Sequence, residues 1–414
     1  MENQACKGMR DLLPEDVLRF CSIESVFRTC CLDWGYEEVR TPTLEYLHLF
    51  TATGTLTPSM LGKVYSFLDW NGWSGERVVL RPDGTIPVAR LYISHLSEQE
   101  IARLFYVTNI FAFEETGGEN RERWQCGVEF LGSAEMGADV EIILLARELL
   151  QRLGFSKLEL QLSHAGLVRA LIKELGLNSS EEAEIMSRIL DGDWQALAEV
   201  KSVNPELGSL FSLLLNLKGK SSGFLHNAKA LLPSQASPAL RRSLEDFINI
   251  ATLLDSLNCD YQIDIKVVRG FEYYTGVCFG LLADEKKIGG GGRYDNLVPL
   301  MGGKNTPARG FALYLDPIVK LLPSPSEGAE ETRILIRAEG STSNLIGTCF
   351  RLAQSLHEAG YKAVLDFTAR GTFNYRWTIL VSEKEPSPFT VIDNRQKQQQ
   401  NADSADEILA VLRG

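Results

Sequence analysis

The stretch NIFAFEETGGENRERWQCGVEFLG, residues 109–132, crowds Arg121, Arg123, Gln125 and Glu129 into a short length of chain. It reads as a β-strand, a charged loop and a second strand, a hairpin of the kind that faces a ligand. Arginine is the residue for phosphate, because its planar fork stays charged and grips two oxygens at once. A phosphate site here would need a cation where the first strand carries Ala112. Arg121 and Arg123 are read as solvated charges of the loop. A second candidate is the glycine run in IGGGGRYDNL, residues 288–297. Glycine runs cradle phosphate when they lie between a strand and a helix N-terminus. Glycines 289–292 are read instead as letting backbone approach a pocket, with Arg293 and Asp295 bracing that loop. The eight cysteines (6, 21, 30, 31, 126, 259, 278 and 349) include no CxxC pair and no Cys/His cluster, so no metal site and no disulfide framework is expected.

These residues need elements to position them. Residues 15–33 carry apolar side chains at helical spacing and Gly35 follows as a stop. YEEVRTPTLEY reads as extended, with Pro42 breaking any helix. RVVLRPDGTIPVARLYISH runs strand, turn, helix, the turn supplied by PDG. ADVEIILLARELLQRLGF is an amphipathic helix, and LELQLSH after it alternates as a strand. Interleaved strands and helices define an α+β class with a mainly antiparallel sheet. From about 165 to 256 the pattern turns almost wholly helical, an insertion in which Ser179 and Glu182 make a capping box. Strands resume at YQIDIKVVRGFEYYTGVCFGLL. The first domain is taken as residues 1–322, PSPSEGAEE (323–331) as a linker, and 332–414 as a small α/β domain in which NRQKQQQNADSAD is an exposed turn.

A length of 414 residues supports two or three domains, and 44% hydrophobic with 23% charged residues is ordinary for a soluble chain. The net charge of -12 argues against a protein built to grip nucleic-acid backbones. The polar start MENQACKGMRDLLPED lacks the apolar core of a signal peptide, so the protein is read as soluble and cytoplasmic.

Several segments in order resemble the histidyl-tRNA synthetase group of class II aminoacyl-tRNA synthetases over residues 8–320: GMRDLLPED, YEEVRTPTLEY, RPDGT, VVRGFEYYTGVCF and GGGGRYD. The resemblance implies a class II antiparallel sheet flanked by helices, and a dimer with Pro42 at its interface. It also implies a histidine pocket, with Asp83, Thr85 and Gln125 at the ammonium group and Glu129 and Tyr274 at the imidazole. Arg269 and Tyr273 are placed in the same site. Asp83 stands where that group has glutamate. Taken singly, Gln125 also reads as a solvent-facing strand residue and Tyr274 as a core aromatic.

The ATP half of such a site is incomplete. The second class II motif places an arginine two residues before its glutamate, where this chain has Ala112 before Glu114. The third motif ends on an arginine where GFALYLDPI has Pro317, at a point where a helix should continue. Each lost oxyanion donor costs about 10²–10³ in rate, so no catalysis is expected, with Arg269 retained as a remnant. Residues 332–414 hold ten Lys+Arg against nine Asp+Glu, little for an anticodon-reading surface. DFTARGTFNYRWTILVS passes directly between strands where the anticodon domain has a helix, so this domain reads as degenerate and tRNA is not an expected partner.

TPTLEY, RPDGTIPVARL, QLSHAGLVRALIKELGL and LLLNLKGKSSGFLHNAKALLP are similar to the regulatory subunits of ATP phosphoribosyltransferase, relatives of the synthetase. That resemblance implies a non-catalytic subunit that activates a short catalytic subunit and conveys histidine feedback in histidine biosynthesis. It implies a homodimer within a hetero-oligomer, L-histidine as ligand, no cofactor and no membrane. The alternatives are a divergent histidyl-tRNA synthetase and a stand-alone histidine sensor or scaffold.

Overall fold

The computed structural model describes residues 5–54, 56, 58–70, 75–112, 120–190, 193–194, 196, 214, 218–267, 274–322, 333–367, 375–383 and 387–413. The chain divides into two compact units, Met1–Leu322 and Pro323–Gly414. The linker expected at 323–331 lies outside the described residues.

In the first unit the strands are β1 (Glu37–Glu38), β2 (Leu44–Tyr46), β3 (Ser66–Trp70), β4 (Gly75–Leu80), β5 (Ala102–Phe111), β6 (Glu122–Leu131), β7 (Glu159–His164), β8 (Gln262–Ile263), β9 (Val277–Ala283), β10 (Lys286–Arg293) and β11 (Ala308–Tyr314). Eight of them form one sheet in the order β1-β5-β6-β11-β10-β9-β7-β8. It is antiparallel except at its two edges, where β1 pairs β5 and β7 pairs β8 in parallel. This is the mainly antiparallel α+β architecture expected. A separate three-stranded sheet runs β2-β4-β3.

The alternation along β6 sorts its residues to two faces, since successive side chains of a strand point to opposite sides. Cys126, Val128 and Phe130 join the core under helices α1 (Pro14–Asp33) and α4 (Met136–Arg152). In that core Phe27 of α1 meets Phe105 of β5 edge to face, ring centroids 5.7 Å apart. Gln125, Gly127 and Glu129 take the other face, beside a second core that includes Ile86, Val88, Tyr106 and Tyr294. Its helix α3 (Thr85–Leu91) follows the PDG turn, and Pro87 is accepted because first-turn N–H groups have no intrahelical partner. Pro14 is accommodated in the same way at the first position of α1, and Gly35 ends that helix's exit turn at φ +77°.

The described helices between 165 and 256 are α5 (Ala165–Lys173), α6 (Ser179–Leu190), α7 (Ser222–Ala230) and α8 (Pro238–Ser256). Leu167 and Leu171 of α5, with Phe247, Ile250 and Leu254 of α8, belong to the main core, so these helices are built into the sheet's cover. The capping box lies one residue before the expected one. Asn178 Oδ1 accepts from the Glu181 N–H at 3.0 Å while Glu181 Oε2 accepts from the Asn178 N–H at 3.0 Å. Asn caps as well as Ser, and the pair at 178 and 181 closes the reciprocal geometry.

Helices α2 (Leu47–Ala52), α9 (Leu297–Leu300) and α10 (Leu315–Leu321) complete the described α-helices of the first unit. Pro317 does not interrupt the expected helix. It is the third residue of α10, within the first turn, where proline costs no hydrogen bond.

The second unit has β12 (Arg333–Ala338), β13 (Lys362–Asp366), β14 (Trp377–Val381), β15 (Phe389–Asp393) and β16 (Gln398–Ala402), ordered β13-β12-β14-β15-β16. Helices α11 (Ser343–Glu358) and α12 (Ala405–Arg413) cover a core of Ile334, Ile336, Cys349, Leu352, Ile379, Val391 and Ile408. The stretch expected as an exposed turn holds β16, which pairs β15 antiparallel through Gln398, Gln399, Gln400, Asn401 and Ala402. An edge strand open to water on its other side needs no alternating apolar pattern. β13 and β14 both run parallel to β12, and residues 368–374 between them lie outside the described residues.

Candidate functional site

The turn Arg81–Thr85 is fixed from behind. Arg81, 5% exposed, donates to the Asn109 carbonyl at 2.8 Å, the Asn109 side chain at 2.8 Å and the Thr41 carbonyl at 2.9 Å, pinning the turn to β5. Asp83 Oδ1 accepts from the Ile86 N–H at 2.8 Å and so starts α3. Behind the turn the Tyr106 ring is held between Gly84 and Gly127. A Cβ on either glycine would come within 2.3 Å and 2.1 Å of that ring respectively, so no other residue fits. Tyr106 Oη accepts from Gln125 Nε2 at 3.1 Å.

Glu129, 2% exposed, is buried behind the cavity wall. Its Oε2 accepts from the Tyr294 hydroxyl. Among the described residues its Oε1 is a buried acceptor with no hydrogen-bond partner. Burial pushes its carboxyl well above the ordinary carboxylate range, and hydrogen bonds from Thr85 and Tyr106 oppose that rise. The Tyr274 ring stands 6.4 Å from that of Tyr294. Asp83, Thr85, Gln125, Tyr274 and Tyr294 line one cavity of about 760 Å³. Of the residues assigned to the site, Asp83, Thr85, Gln125, Glu129 and Tyr274 are thus brought together, while Arg269 and Tyr273 lie outside the described residues.

Tyr294 was missed by sequence reasoning, although RYD follows the glycine run directly. Glycines 289–292 form no loop. They are the middle of β10, between β9 and β11, and a Cβ at Gly291 would lie 2.1 Å from the Gly310 carbonyl oxygen. Gly290 lines the cavity wall. Arg293 and Tyr294 then part to opposite faces. Asp295 does brace the turn, holding the Thr275 hydroxyl at 3.3 Å and the Ala308 N–H at 3.2 Å. Arg293 instead reaches the helices behind the sheet, pairing with Asp139 of α4 and with Asp246 of α8 at 2.8 Å. Arg309, 0% exposed, pairs with Asp139 at 3.0 Å. His164 Nδ1 accepts from the Leu167 N–H, which leaves Nε2 to donate to Asp246 at 3.0 Å and sets the neutral tautomer. Burial opposes ionisation of Asp246, but His164 and Arg293 hold its carboxyl down to about 2.

Arg121 and Arg123 are not solvated loop charges. Arg121 donates to Tyr65 Oη at 3.3 Å and packs over Gly8, and Arg123 belongs to β6 and lines the cavity. The loop itself, 113–119 with Glu114, lies outside the described residues. Ala112 continues the hairpin through its N–H to the Arg121 carbonyl at 3.0 Å.

The cavity therefore offers carboxylate and amide acceptors at its wall, with the Glu129 carboxyl behind the wall residue Tyr294. That arrangement suits a small ligand with an ammonium group and a further N–H donor. It has a cost for the empty protein. Burial pushes the Asp83 carboxyl from 3.8 to about 6, against the Ile86 and Thr85 N–H groups that lower it. A folded value above the unfolded one means that the group costs no stability below roughly pH 4 and its full penalty above roughly pH 7. Asp83→Asn keeps the Oδ1 cap. It is expected to raise the unfolding free energy by about 1–2 kcal/mol near pH 8 and by nothing near pH 4, after discounting for its partial exposure. Urea unfolding of both proteins at the two pH values checks this.

The sheet, the pinned turn and the pocket lined by Asp83 define a class II aminoacyl-tRNA synthetase-like protein. The family described as histidyl-tRNA synthetase matches residues 8–318. A curated relative from Dehalococcoides mccartyi, named ATP phosphoribosyltransferase regulatory subunit, is 47% identical over 410 residues, covering 99% of this chain and 98% of the relative. A histidine--tRNA ligase of Archaeoglobus fulgidus is 31% identical across 100% of both chains. A solved structure from Bacillus halodurans, titled as an ATP phosphoribosyltransferase regulatory subunit/histidyl-tRNA synthetase, superposes with a TM-score of 0.79 at 25% identity, covering 93% of this chain and 99% of that one. The chain belongs to the histidyl-tRNA synthetase family, in its branch of ATP phosphoribosyltransferase regulatory subunits.

Proposed function

We propose that this chain is the non-catalytic regulatory subunit of an ATP phosphoribosyltransferase, activating a short catalytic subunit and conveying feedback by L-histidine bound in the cavity described above. The observation that carries the reading is full-length identity of 47% to a regulatory subunit, in a chain with Ala112 and Pro317 at the two arginine positions of ATP chemistry.

Asp83, Thr85 and Gln125 receive the ammonium group, and Glu129, Tyr274 and Tyr294 surround the imidazole. Arg269 and Tyr273 are assigned to the same site by resemblance. Histidine acts by binding one state of the mixed complex better. A coupling of about 1–3 kcal/mol is enough to throttle the partner.

A homodimer within the complex is supported by Pro42, Leu44 and Tyr46, all exposed in the single chain, and by exposed Phe67, Leu68 and Trp70 on the neighbouring strand. No helix among the described residues is long and apolar enough to cross a membrane, and the proposed site of action is the cytoplasm. The second unit is read as a degenerate anticodon-binding-like domain with a supporting role.

Calorimetry and isotope exchange test the pairing of a kept amino-acid site with a lost chemical one. Histidine is expected to bind, and histidine-dependent ATP–pyrophosphate exchange to stay at background. Exchange at a synthetase-like rate would assign the chain to the ligases instead.

A further inference from the structure

The second unit ends its sheet on an edge that nothing in its sequence blocks. β16 is the outer strand of the order β13-β12-β14-β15-β16, and among the described residues no strand lies beyond it. Sheet edges are commonly blunted by charge, proline or a bulge, because their unpaired N–H and C=O groups template pairing with another chain. The opposite edge, β13, opens on exposed Lys362 and ends on Asp366. β16 reads QQQNA, with Gln398, Gln399, Gln400 and Asn401 all exposed, and holds neither charge nor proline. Its pairing with β15 runs evenly from Asp393 opposite Gln398 to Phe389 opposite Ala402.

The outward bonding groups of β16 follow from its neighbours. The Ser382 N–H donates to the Pro388 carbonyl at 2.8 Å and the Asn394 N–H to the Arg376 carbonyl at 2.7 Å. In antiparallel strands alternate residues turn both backbone groups to the same neighbour. The even-numbered residues of β15 therefore face β14, and Val391 and Asp393 face Gln400 and Gln398 of β16. Gln399 and Asn401 are left with N–H and C=O directed outwards. Charge flanks this neutral strand unevenly. Arg395 and Lys397 are exposed before it, and Asp403, Asp406 and Glu407 are exposed after it. A parallel neighbour of the same sequence would set like charges side by side, whereas an antiparallel one sets the basic end against the acidic end. With Gln400 on the twofold axis, Gln399 bonds Asn401 of the second copy through both backbone groups, and Lys397 faces Asp403. Sliding by two residues loses bonds either way. The new partner is Lys397, left-handed at φ 55°, or Asp403, whose N–H is already held by Glu407 at 2.8 Å. The side chains agree, since each amide both donates and accepts and identical strands can satisfy one another.

We propose that two copies of this chain join through β16, antiparallel and edge to edge, so that the sheets of their second units become one. The contact is separate from the face at Pro42, Leu44 and Tyr46 and requires no ligand. It makes the second unit an assembly element. A strand of 5 residues buries little surface, so the contact is transient alone and gains strength where copies are also held together elsewhere.

A transient contact is best read by trapping it. The full chain carrying Gln400→Cys is oxidised with copper phenanthroline, covalent dimer is followed on non-reducing gels, and the linked peptide is read by mass spectrometry. On the axis the two copies of this residue form a pair without backbone bonds, about 4.5 Å apart at Cα and within disulfide reach. Gln398→Cys lies on the same face but opposite Ala402 of the second copy, and controls for exposure. The unaltered chain controls for the exposed Cys6 and Cys21. Gln400→Cys is expected to link about tenfold faster than Gln398→Cys. Adding Lys397→Glu slows it about tenfold, because both symmetry-related contacts turn from attraction to repulsion, and adding Asp403→Lys to that pair restores the rate. Asp403 also accepts from the Ser387 hydroxyl, so a second block spares it. Gln399→Pro deletes an outward N–H and none bonded to β15, and is expected to stop linking with the urea midpoint unchanged. Equal linking by Gln400→Cys and Gln398→Cys, or a Gln400→Cys rate that neither Lys397→Glu nor Gln399→Pro lowers, overturns the proposal.

Discussion

Replacing Arg293 with methionine is expected to lower the unfolding free energy by about 3 kcal/mol, the largest loss of stability foreseen for any single change at this site. Arg293 joins Asp139, whose side chain is 0% exposed, to Asp246, and so ties α4, α8 and β10 together. Methionine fills much of the same volume but leaves Asp139 with a single cationic partner, Arg309. A buried carboxylate stripped of half its compensation costs several kcal/mol, and the surviving pair keeps the effect at the low end of that range. Arg293→Lys should recover less than half of the loss, because an ammonium group cannot span both carboxylates as the guanidinium fork does. Urea midpoints of the three proteins give the answer, and a methionine variant within about 0.5 kcal/mol of the parent would mean that the network contributes nothing to stability. Tyr294 is the next residue along the chain, so the same change should also weaken histidine binding by loosening the floor of the pocket.

The second large effect is on binding. Glu129→Gln keeps the shape of the side chain and an acceptor for Tyr294, but removes the ionisable carboxyl that a bound cation would hold in its charged form. Histidine affinity is expected to fall about 10–100-fold, the worth of one hydrogen bond to a buried charged group. Stability of the empty protein should rise slightly, because an amide loses less than a carboxylate on burial. Loss of affinity with gain of stability separates a ligand-binding role from a structural one, since a purely structural Glu129 would lose stability and leave binding unchanged. Calorimetric titration and unfolding of the same preparation read both.

Much of this site can be read from the chain. The alternation of Gln125, Gly127 and Glu129 against Cys126, Val128 and Phe130 follows from strand geometry once 122–131 is taken as a strand. RPDGT announces a turn, and the ordered motifs carry the class II sheet. What escaped depends on partners distant in sequence. The role of Arg293 requires knowing that α4 and α8 converge behind β10, and nothing near GGRYD says so. Tyr294 sat in the quoted motif and was passed over because its neighbours were read as a loop. A glycine run inside a strand, between two close neighbours, gives the same letters as a loop. Ser179 and Asn178 compete as caps with near-equal strength, so sequence alone leaves a one-residue choice. β16 was invisible because an edge strand can be wholly polar. Pro317 looked like a helix breaker only because the helix start, two residues earlier, could not be placed.

The account stands or falls on regulation. The decisive measurement is the ATP phosphoribosyltransferase rate of the short catalytic subunit from the same cell, alone, with this chain, and with this chain plus histidine. The account predicts that the chain raises the rate, that histidine suppresses the raised rate, and that Glu129→Gln still activates while needing about 10–100-fold more histidine for suppression. A catalytic subunit whose rate is the same with and without this chain would contradict it.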